Sequence, residues 1–346
     1  MKFFYSIALM MLLFISFEVQ AQSTEIKESR QEVKSSGTTI TPSDSAEKFS
    51  ATALDELKAK AANGDVDAQL NLGYIYLYGV DGTNIDYKQA LSYYEAAAAQ
   101  NSAVAYNNLG SLYYSGVGTG VDVSKALHFF EEAAKLGSDD AAVNLAIISL
   151  SAGPKNKTDD DYKKIFSLLQ QAQKNNIAKF LLGYAYAKGF VVPQDNKKAF
   201  QLIKIAADDQ YDEAQAVLAD FYIHGRGTAK NYNRAVQYLR MAADQGNSGA
   251  IMQLADILAE GKIYTKDIKQ AHIFYNVASV MGAADAAEKR DALESNLKIE
   301  DLLAIQALAE DYKMVPSKQT LFVRQTFGDS LKAYIDAYDN VNETKK

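Results

Sequence analysis

An all-α solenoid of stacked helix pairs is the fold class this chain predicts, on three observations. Leucines recur at Leu72, Leu109, Leu145, Leu182, Leu218 and Leu254, with steps of 37, 36, 37, 36 and 36 residues between consecutive positions. Four residues before each stands an alanine (Ala68, Ala105, Ala141, Ala178, Ala214, Ala250), and one residue after each stands only Gly or Ala (Gly73, Gly110, Ala146, Gly183, Ala219, Ala255). A glycine interrupts the pattern at one fixed place, as Gly79, Gly116, Gly189, Gly225 and Gly261. A period of this size marks supersecondary units that bury their apolar faces only by stacking. Stacking leaves an extended surface and no enclosed catalytic cavity, so the expected class is a binding scaffold and not an enzyme.

Taken in order, the chain opens with MKFFYSIALMMLLFISFEVQAQS. Lys2 precedes an apolar run over residues 3–17, and Val19-Gln20-Ala21 offers small residues at the two positions that specify cleavage. This predicts a signal peptide over residues 1–21, removed after Ala21. The run of 15 residues is shorter than the ~20 that a helix needs to cross a bilayer. No membrane insertion is therefore expected after cleavage, and the mature chain is expected in the periplasm or secreted. Residues 22–45 are rich in Ser, Thr, Glu and Lys and nearly free of apolar side chains. They cannot bury enough surface to offset ordering entropy, which predicts a disordered linker.

Residues 46–282 are the predicted solenoid, an N-terminal helix followed by six full repeats. The first helix carries Phe49, Ala53, Leu57 and Ala61 at helical spacing and stops at Asn63-Gly64. Each later unit reads helix, turn, helix. In the fifth, residues 214–224 form the first helix and Gly225-Arg226-Gly227 breaks it. Asn231 opens the second helix, which runs through Ala235, Tyr238, Leu239 and Ala242-Ala243 to Gln245-Gly246. Glycine at the break tolerates the left-handed backbone that ends a helix. Second helices begin at Asp86, Asp122, Asp161, Asp195, Asn231 or Asp267, short polar residues that as N-caps stabilise a helix by ~1 kcal/mol.

The alanine, the leucine and a residue four beyond it (Tyr76, Tyr113, Tyr186, Tyr222) share one helix face. Gly or Ala beside the leucine admits a close neighbour. In the second helices Ala90, Ala126, Ala199, Ala235 and Ala271 precede the bulky pairs Tyr93-Tyr94, Phe129-Phe130, Leu202-Ile203, Tyr238-Leu239 and Phe274-Tyr275. Much of the tyrosine total of 22 is thus expected in the core. The third unit departs, with a long loop holding Gly153-Pro154 and Asp159-Asp160-Asp161, and with Ile165 in place of alanine. Residues 283–313 read as two helices forming a C-terminal cap with a polar outer face. Residues 314–346 are a tail, whose amphipathic piece at 331–338 either docks back or hangs free.

Composition excludes several classes. With 346 residues and a net charge of -7, the chain has no basic footprint for nucleic acid, and no Lys/Arg run suits an anionic membrane surface. The absence of cysteine removes disulfides, thiol chemistry, Cys-type zinc sites and lipid attachment through a cysteine. His128, His224 and His272 have no Asp, Glu or His partner at metal-motif spacing, so surface or helix-end roles are expected. Asp159-Asp160-Asp161 lacks the alternation, central glycine and closing Glu of a calcium loop and reads as a solvated turn ending in an N-cap. Gly116-Val117-Gly118-Thr119-Gly120 follows a helix and is a turn, not a phosphate loop. No catalytic residue, metal or cofactor is expected.

One pattern is a candidate for partner binding. Asn71, Asn108 and Asn144 directly precede the leucine in three successive units. Two residues after the leucine stand Tyr74, Tyr184, Asp220 and Asp256. A row of amides on the inner helices can bind an extended peptide backbone, since each offers a donor and an acceptor. The competing reading is that these amides bond within or between neighbouring repeats. Asn71, Asn108, Asn144, Tyr74 and Tyr184 are the candidate residues.

Laid out in register, the units resemble Sel-one-like repeats, α-helical relatives of the tetratricopeptide repeat. The stretches that carry the likeness are AVAYNNLGSLYYSGVGTGVDVSKALHFFEEAAKLGS, GYAYAKGFVVPQDNKKAFQLIKIAA and YIHGRGTAKNYNRAVQYLRMAADQGNSGA, together with the closing HIFYNVASVMGAADAAEKRDALE. The likeness spans about residues 52–313; the long loop of unit three and Gln210 in place of a turn glycine depart from it. It implies a right-handed superhelical α/α solenoid whose concave surface binds a protein or peptide. It further implies an exported bacterial adaptor tied to envelope processes or host interaction. The alternative function is an envelope regulator that binds cell-wall glycan or a cell-wall-processing enzyme.

Overall fold

A computed structural model describes residues 51–80, 83–151, 158–189, 191–317, 320, 321 and 324. The expected signal peptide, the linker, residues 46–50, Gly153-Pro154 and the piece at 331–338 lie outside the described residues. Among the described residues the chain forms fifteen α-helices and no strand. It divides into two compact units, with the boundary between Ala152 and Gly153, in the long loop of the third repeat. The first unit holds α1 (Ala51–Ala62), α2 (Val66–Tyr78), α3 (Tyr87–Ala98), α4 (Ala103–Ser115), α5 (Val123–Lys135) and α6 (Asp139–Ser151). The second holds α7 (Asp159–Gln171), α8 (Asn176–Lys188), α9 (Asn196–Asp208), α10 (Asp212–His224), α11 (Tyr232–Asp244) and α12 (Ser248–Glu260). It continues with α13 (Ile268–Val280), α14 (Ala286–Glu294) and α15 (Ile299–Glu310). Within each unit successive helices pack on one another, most extensively as the pairs inside a repeat: α2 with α3, α4 with α5, α8 with α9, α10 with α11 and α12 with α13. This is the packing of an α/α solenoid.

Helix ends follow the repeated letters. Gly79, Gly116, Gly189, Gly225 and Gly261 all adopt left-handed φ between 63° and 72°, so each ends its first helix at no steric cost. Asp86, Asp122, Asp195, Asn231 and Asp267 cap the second helices, each accepting the amide three residues on. The third repeat differs. Its cap is Thr158 and not Asp161, which lies in the first turn of α7 and returns a bond to the Thr158 amide, closing a capping box. The run of three aspartates had hidden this, because a hydroxyl one position earlier caps as well as a carboxylate.

The six alanines that precede the leucines are buried. So are Leu72, Leu109, Leu145, Leu218 and Leu254, whereas Leu182 in the repeat after the irregular one is half-buried. The small residue beside the leucine is required by the facing helix. A Cβ on Gly73 would lie 2.5 Å from the Tyr94 ring, one on Gly110 2.7 Å from Phe130, and one on Gly183 2.7 Å from Ile203. The second member of each bulky pair is the buried one: Tyr94, Phe130, Ile203, Leu239 and Tyr275. Four of the five first members, Tyr93, Phe129, Leu202 and Tyr238, are only half-buried, while Phe274 is buried. The C-terminal helices α14 and α15 both pack on α13. The outer side of α15 is not polar as expected: Ile299, Leu303 and Leu308 are 66%, 62% and 59% exposed. Apolar residues surround this helix, and α13, against which it packs, can cover only one side.

Candidate functional site

Residues two and six beyond each leucine project from one side of the first helix of a repeat, since i and i+4 lie one turn apart. In the first unit this side carries Tyr74 and Tyr78 on α2, with ring centroids 4.7 Å apart, and Ser111 and Ser115 on α4. The serine hydroxyls donate back to the carbonyls of Asn107 at 3.1 Å and Ser111 at 2.8 Å, so they face their own helix.

In the second unit the same positions are Tyr184 and Lys188 on α8, Asp220 and His224 on α10, and Asp256 and Glu260 on α12. Lys188 Nζ stands 5.3 Å from the centre of the Tyr184 ring. Asp220 holds His224 Nδ1 at 2.7 Å and also pairs with Arg226, whose guanidinium carbon sits 4.8 Å from the centre of the Phe221 ring. Burial lowers the pKa of the Arg226 guanidinium below its usual value, and its Nε has no hydrogen-bond partner. One repeat on, Asp256 Oδ1 accepts from Tyr275 Oη at 2.6 Å and from Lys289 Nζ at 2.7 Å. Burial, reinforced by the hydrogen bond to Asp256, pushes the Tyr275 phenol well up. The row thus changes from aromatic and hydroxyl groups in one unit to compensated charge pairs in the other. Arg226 and Tyr275 were legible in the sequence only as a turn residue and one of a bulky core pair, and Lys289 was not singled out, because their pairing joins a turn, a second helix and the cap to the first-helix row.

The asparagines do not form one exposed ladder. Asn71 is half-buried. Asn108 is fully buried beside the Tyr94 phenol, and burial holds that phenol well above its usual range. Asn144 is buried and its amide donates to Asn107 Oδ1 at 3.0 Å, a bond between adjacent repeats. Tyr74 is half-buried, whereas Tyr184 is buried against Phe180, with centroids 6.2 Å apart. His128 is exposed beside Phe129 and His224 is exposed on Asp220. His272, expected at a surface or helix end, is instead fully buried with Nε2 3.2 Å from Glu294. It faces the cap helix α14, which covers what would otherwise be an open stack end. No helix among the described residues is long and apolar enough to cross a membrane.

Comparison with known proteins agrees with this architecture. The family model described as Sel1 repeat matches residues 66–102, 103–138, 176–211, 212–247 and 248–279. The chain belongs to the Sel1 repeat family, whose repeats serve as protein-interaction scaffolds. The span between the second and third matches is the irregular repeat. Among solved structures the chain is similar to a protective antigen of uropathogenic Escherichia coli strains that displays an SLR fold. That match has 24% identity and a TM-score of 0.65, covering 85% of this chain and 59% of the antigen. A Sel1 repeat protein from Oxalobacter formigenes is similar at 26% identity and a TM-score of 0.56, with 66% of this chain and 90% of that one covered. No curated protein sequence matches the chain.

A half-buried tyrosine between two second helices sets a pH limit. Tyr238 Oη donates to Asp208 Oδ1 at 3.1 Å, between two adjacent repeats. Burial first, and the Asp208 carboxylate second, push its phenol up to about 12. A phenol whose folded value exceeds its unfolded one adds stability that is complete below the unfolded value of ~10 and is lost as pH rises toward the folded value. Denaturant midpoints are therefore expected to hold up to about pH 10 and to fall above it. Tyr238→Phe should make that fall shallower, and an unchanged slope would show that this phenol takes no part.

Proposed function

We propose that this chain is a non-catalytic, exported adaptor that binds a protein or peptide along the first-helix row of its repeats. Its setting is envelope processes or host interaction. The observation that carries the reading is the row within each unit: the matched repeats bring equivalent first-helix positions at a step of 37 residues in the first unit and of 36 in the second. A polymer with its own repeat can engage such a surface, and solenoids use their inner surfaces in this way. In this reading Asn71 and Tyr74, both half-buried, make contact with the partner. Asn108, Asn144 and Tyr184, being buried, hold the helices that present the row. The cell-wall glycan alternative rests on Tyr74 for sugar stacking, because Tyr184 is only 5% exposed.

The test is recovery of cross-linked partners from envelope extract by the mature chain and by its Tyr74→Ala and Asn71→Ala variants. A protein captured by the parent and reduced at least tenfold by Tyr74→Ala, with thermal unfolding unchanged, is the expected result. Identical capture by all three chains would remove the first-helix row from consideration. Retention on isolated peptidoglycan, lost with Tyr74→Ala, would favour the glycan reading.

A further inference from the structure

Among the first helices that follow α1, α10 lacks a side-chain cap of its own. Asp65, Ser102, Ser138, Asn175 and Asn247 cap α2, α4, α6, α8 and α12, but Tyr211 stands at that place before α10 and makes no such bond. The missing group comes from more than a hundred residues away. Asp212 N donates to Thr320 Oγ1 at 3.1 Å, and Thr320 is fully buried. The Thr320 hydroxyl has one proton to give; Gln245 Oε1, at 2.6 Å, is its nearest acceptor, ahead of Asp212 Oδ1 at 3.1 Å and Gln210 O at 3.3 Å.

The residues around Thr320 are bound in the same manner. Ser317 N donates to Gln245 Oε1 at 2.9 Å, and Ser317 Oγ donates to the Gln210 carbonyl at 2.6 Å. Val315 N donates to Asp244 O at 2.8 Å, Tyr312 Oη to Asp244 Oδ1 at 2.9 Å, and Arg324 pairs with the Asp212 carboxylate. Gln210 holds a left-handed φ of 61°, a conformation that Asn101 and Gly246 also adopt at the turns between repeats, and its carbonyl accepts from this segment.

Two observations mark the segment as a bound ligand more than a piece of core. Among its described residues Met314, Val315 and Leu321 are 38%, 74% and 40% exposed, and the Tyr312 ring packs edge-on against Phe274 at 5.9 Å, so polar bonds make most of the contacts these residues form. Hydrogen bonds formed in place of bonds to water each add little net free energy, which permits exchange. The receiving groups also form elsewhere without the segment. In the second unit Gln245 Nε2 donates to Gln215 Oε1 at 2.9 Å, and Gln215 Nε2 donates to Ala207 O at 3.2 Å. The first unit repeats this relay, with Gln100 Nε2 on Gln69 Oε1 at 2.9 Å and Gln69 Nε2 on Ala61 O at 3.1 Å, and there Gln100 is exposed.

We propose that the turns at residues 210–212 and 244–247 form a docking site for a Ser-Xaa-Xaa-Thr peptide in which the serine hydroxyl accepts the threonine amide, occupied here in cis by Ser317 and Thr320. The segment is a strap: it caps α10 while in place and yields the site to a competing peptide of the same chemistry. The site lies on the inter-repeat turns, away from the first-helix row, and does not rest on the function proposed for that row.

The test uses the full chain, its Ser317→Ala/Thr320→Val variant and the same variant carrying Gln245→Ala. The probe is a fluorescent peptide of residues 312–326, read by anisotropy. The double variant should bind the peptide at least tenfold more tightly than the parent, whose own strap competes. Adding Gln245→Ala should weaken binding at least fivefold, and a peptide with Thr320→Val should bind at least tenfold less well. Amides at the start of α10 should exchange at least fivefold faster in the double variant and slow again when peptide is added. If Gln245→Ala disturbs folding, the Thr320→Val peptide decides alone. Equal affinity for parent and double variant, or indifference to Thr320→Val in the peptide, would overturn the proposal.

Discussion

Leu109→Ala is expected to lower the unfolding free energy by ~2–5 kcal/mol, the range for truncating a buried leucine. Leu109 is 1% exposed and belongs to a core with Leu72, Tyr76, Ala90, Tyr94, Ala105 and Leu112, so the vacated space has rigid walls on two repeats. In a stack held by nearest-neighbour interfaces the loss is local before it is global. Hydrogen exchange should therefore quicken first in α3, α4 and α5 and leave α12 and α13 protected under native conditions. Uniform acceleration along the chain would mean that the array melts as one block, and the nearest-neighbour description would be wrong.

Gly73→Ala is the second large effect, and here local propensity and packing oppose each other. Alanine is better than glycine inside a helix by ~1 kcal/mol. The added Cβ, however, would meet the Tyr94 ring at 2.5, 2.7 and 2.8 Å. Tyr94 is fully buried and its ring is not a flexible end that can swing away, so overpacking of ~1–3 kcal/mol should win and the variant should be less stable than the parent. Tyr94→Leu should restore much of the loss when combined with Gly73→Ala. The repeat that carries Ala219 at the glycine position carries Leu239 at the tyrosine position, so the pair Ala with Leu already exists in this chain. Measured by urea midpoints, a double variant no more stable than Gly73→Ala alone would refute the steric account.

Much of the fold was legible because the determinants are local and repeated. The glycine breaks, the second-helix caps and the alanine–leucine face recur at fixed offsets, and each owes its position to helix geometry within one unit. Thr158 was missed because three adjacent aspartates masked a hydroxyl cap one residue upstream. The asparagine row illustrates the limit more clearly. Asn71, Asn108 and Asn144 hold equivalent positions, yet one is half-buried, one lies fully buried beside Tyr94, and one bonds Asn107. Equivalent sequence positions share a helix face, but their exposure depends on which side chains the neighbouring repeat brings. His272 was misplaced for the same reason, since Glu294 on α14 is separated from it by a whole turn of the chain.

The periodic leucine, alanine and glycine, read alone, determined the all-α stack, the length of its units and the Sel1 class, because a 36- or 37-residue repeat admits few ways to bury apolar faces. Tertiary structure alone decided what each repeat shows to solvent. The pairing of Asp256 with Lys289 and of Thr320 with the bare start of α10 joins groups with no common period. Such contacts are set by where separate segments arrive in space, which no spacing along the chain encodes.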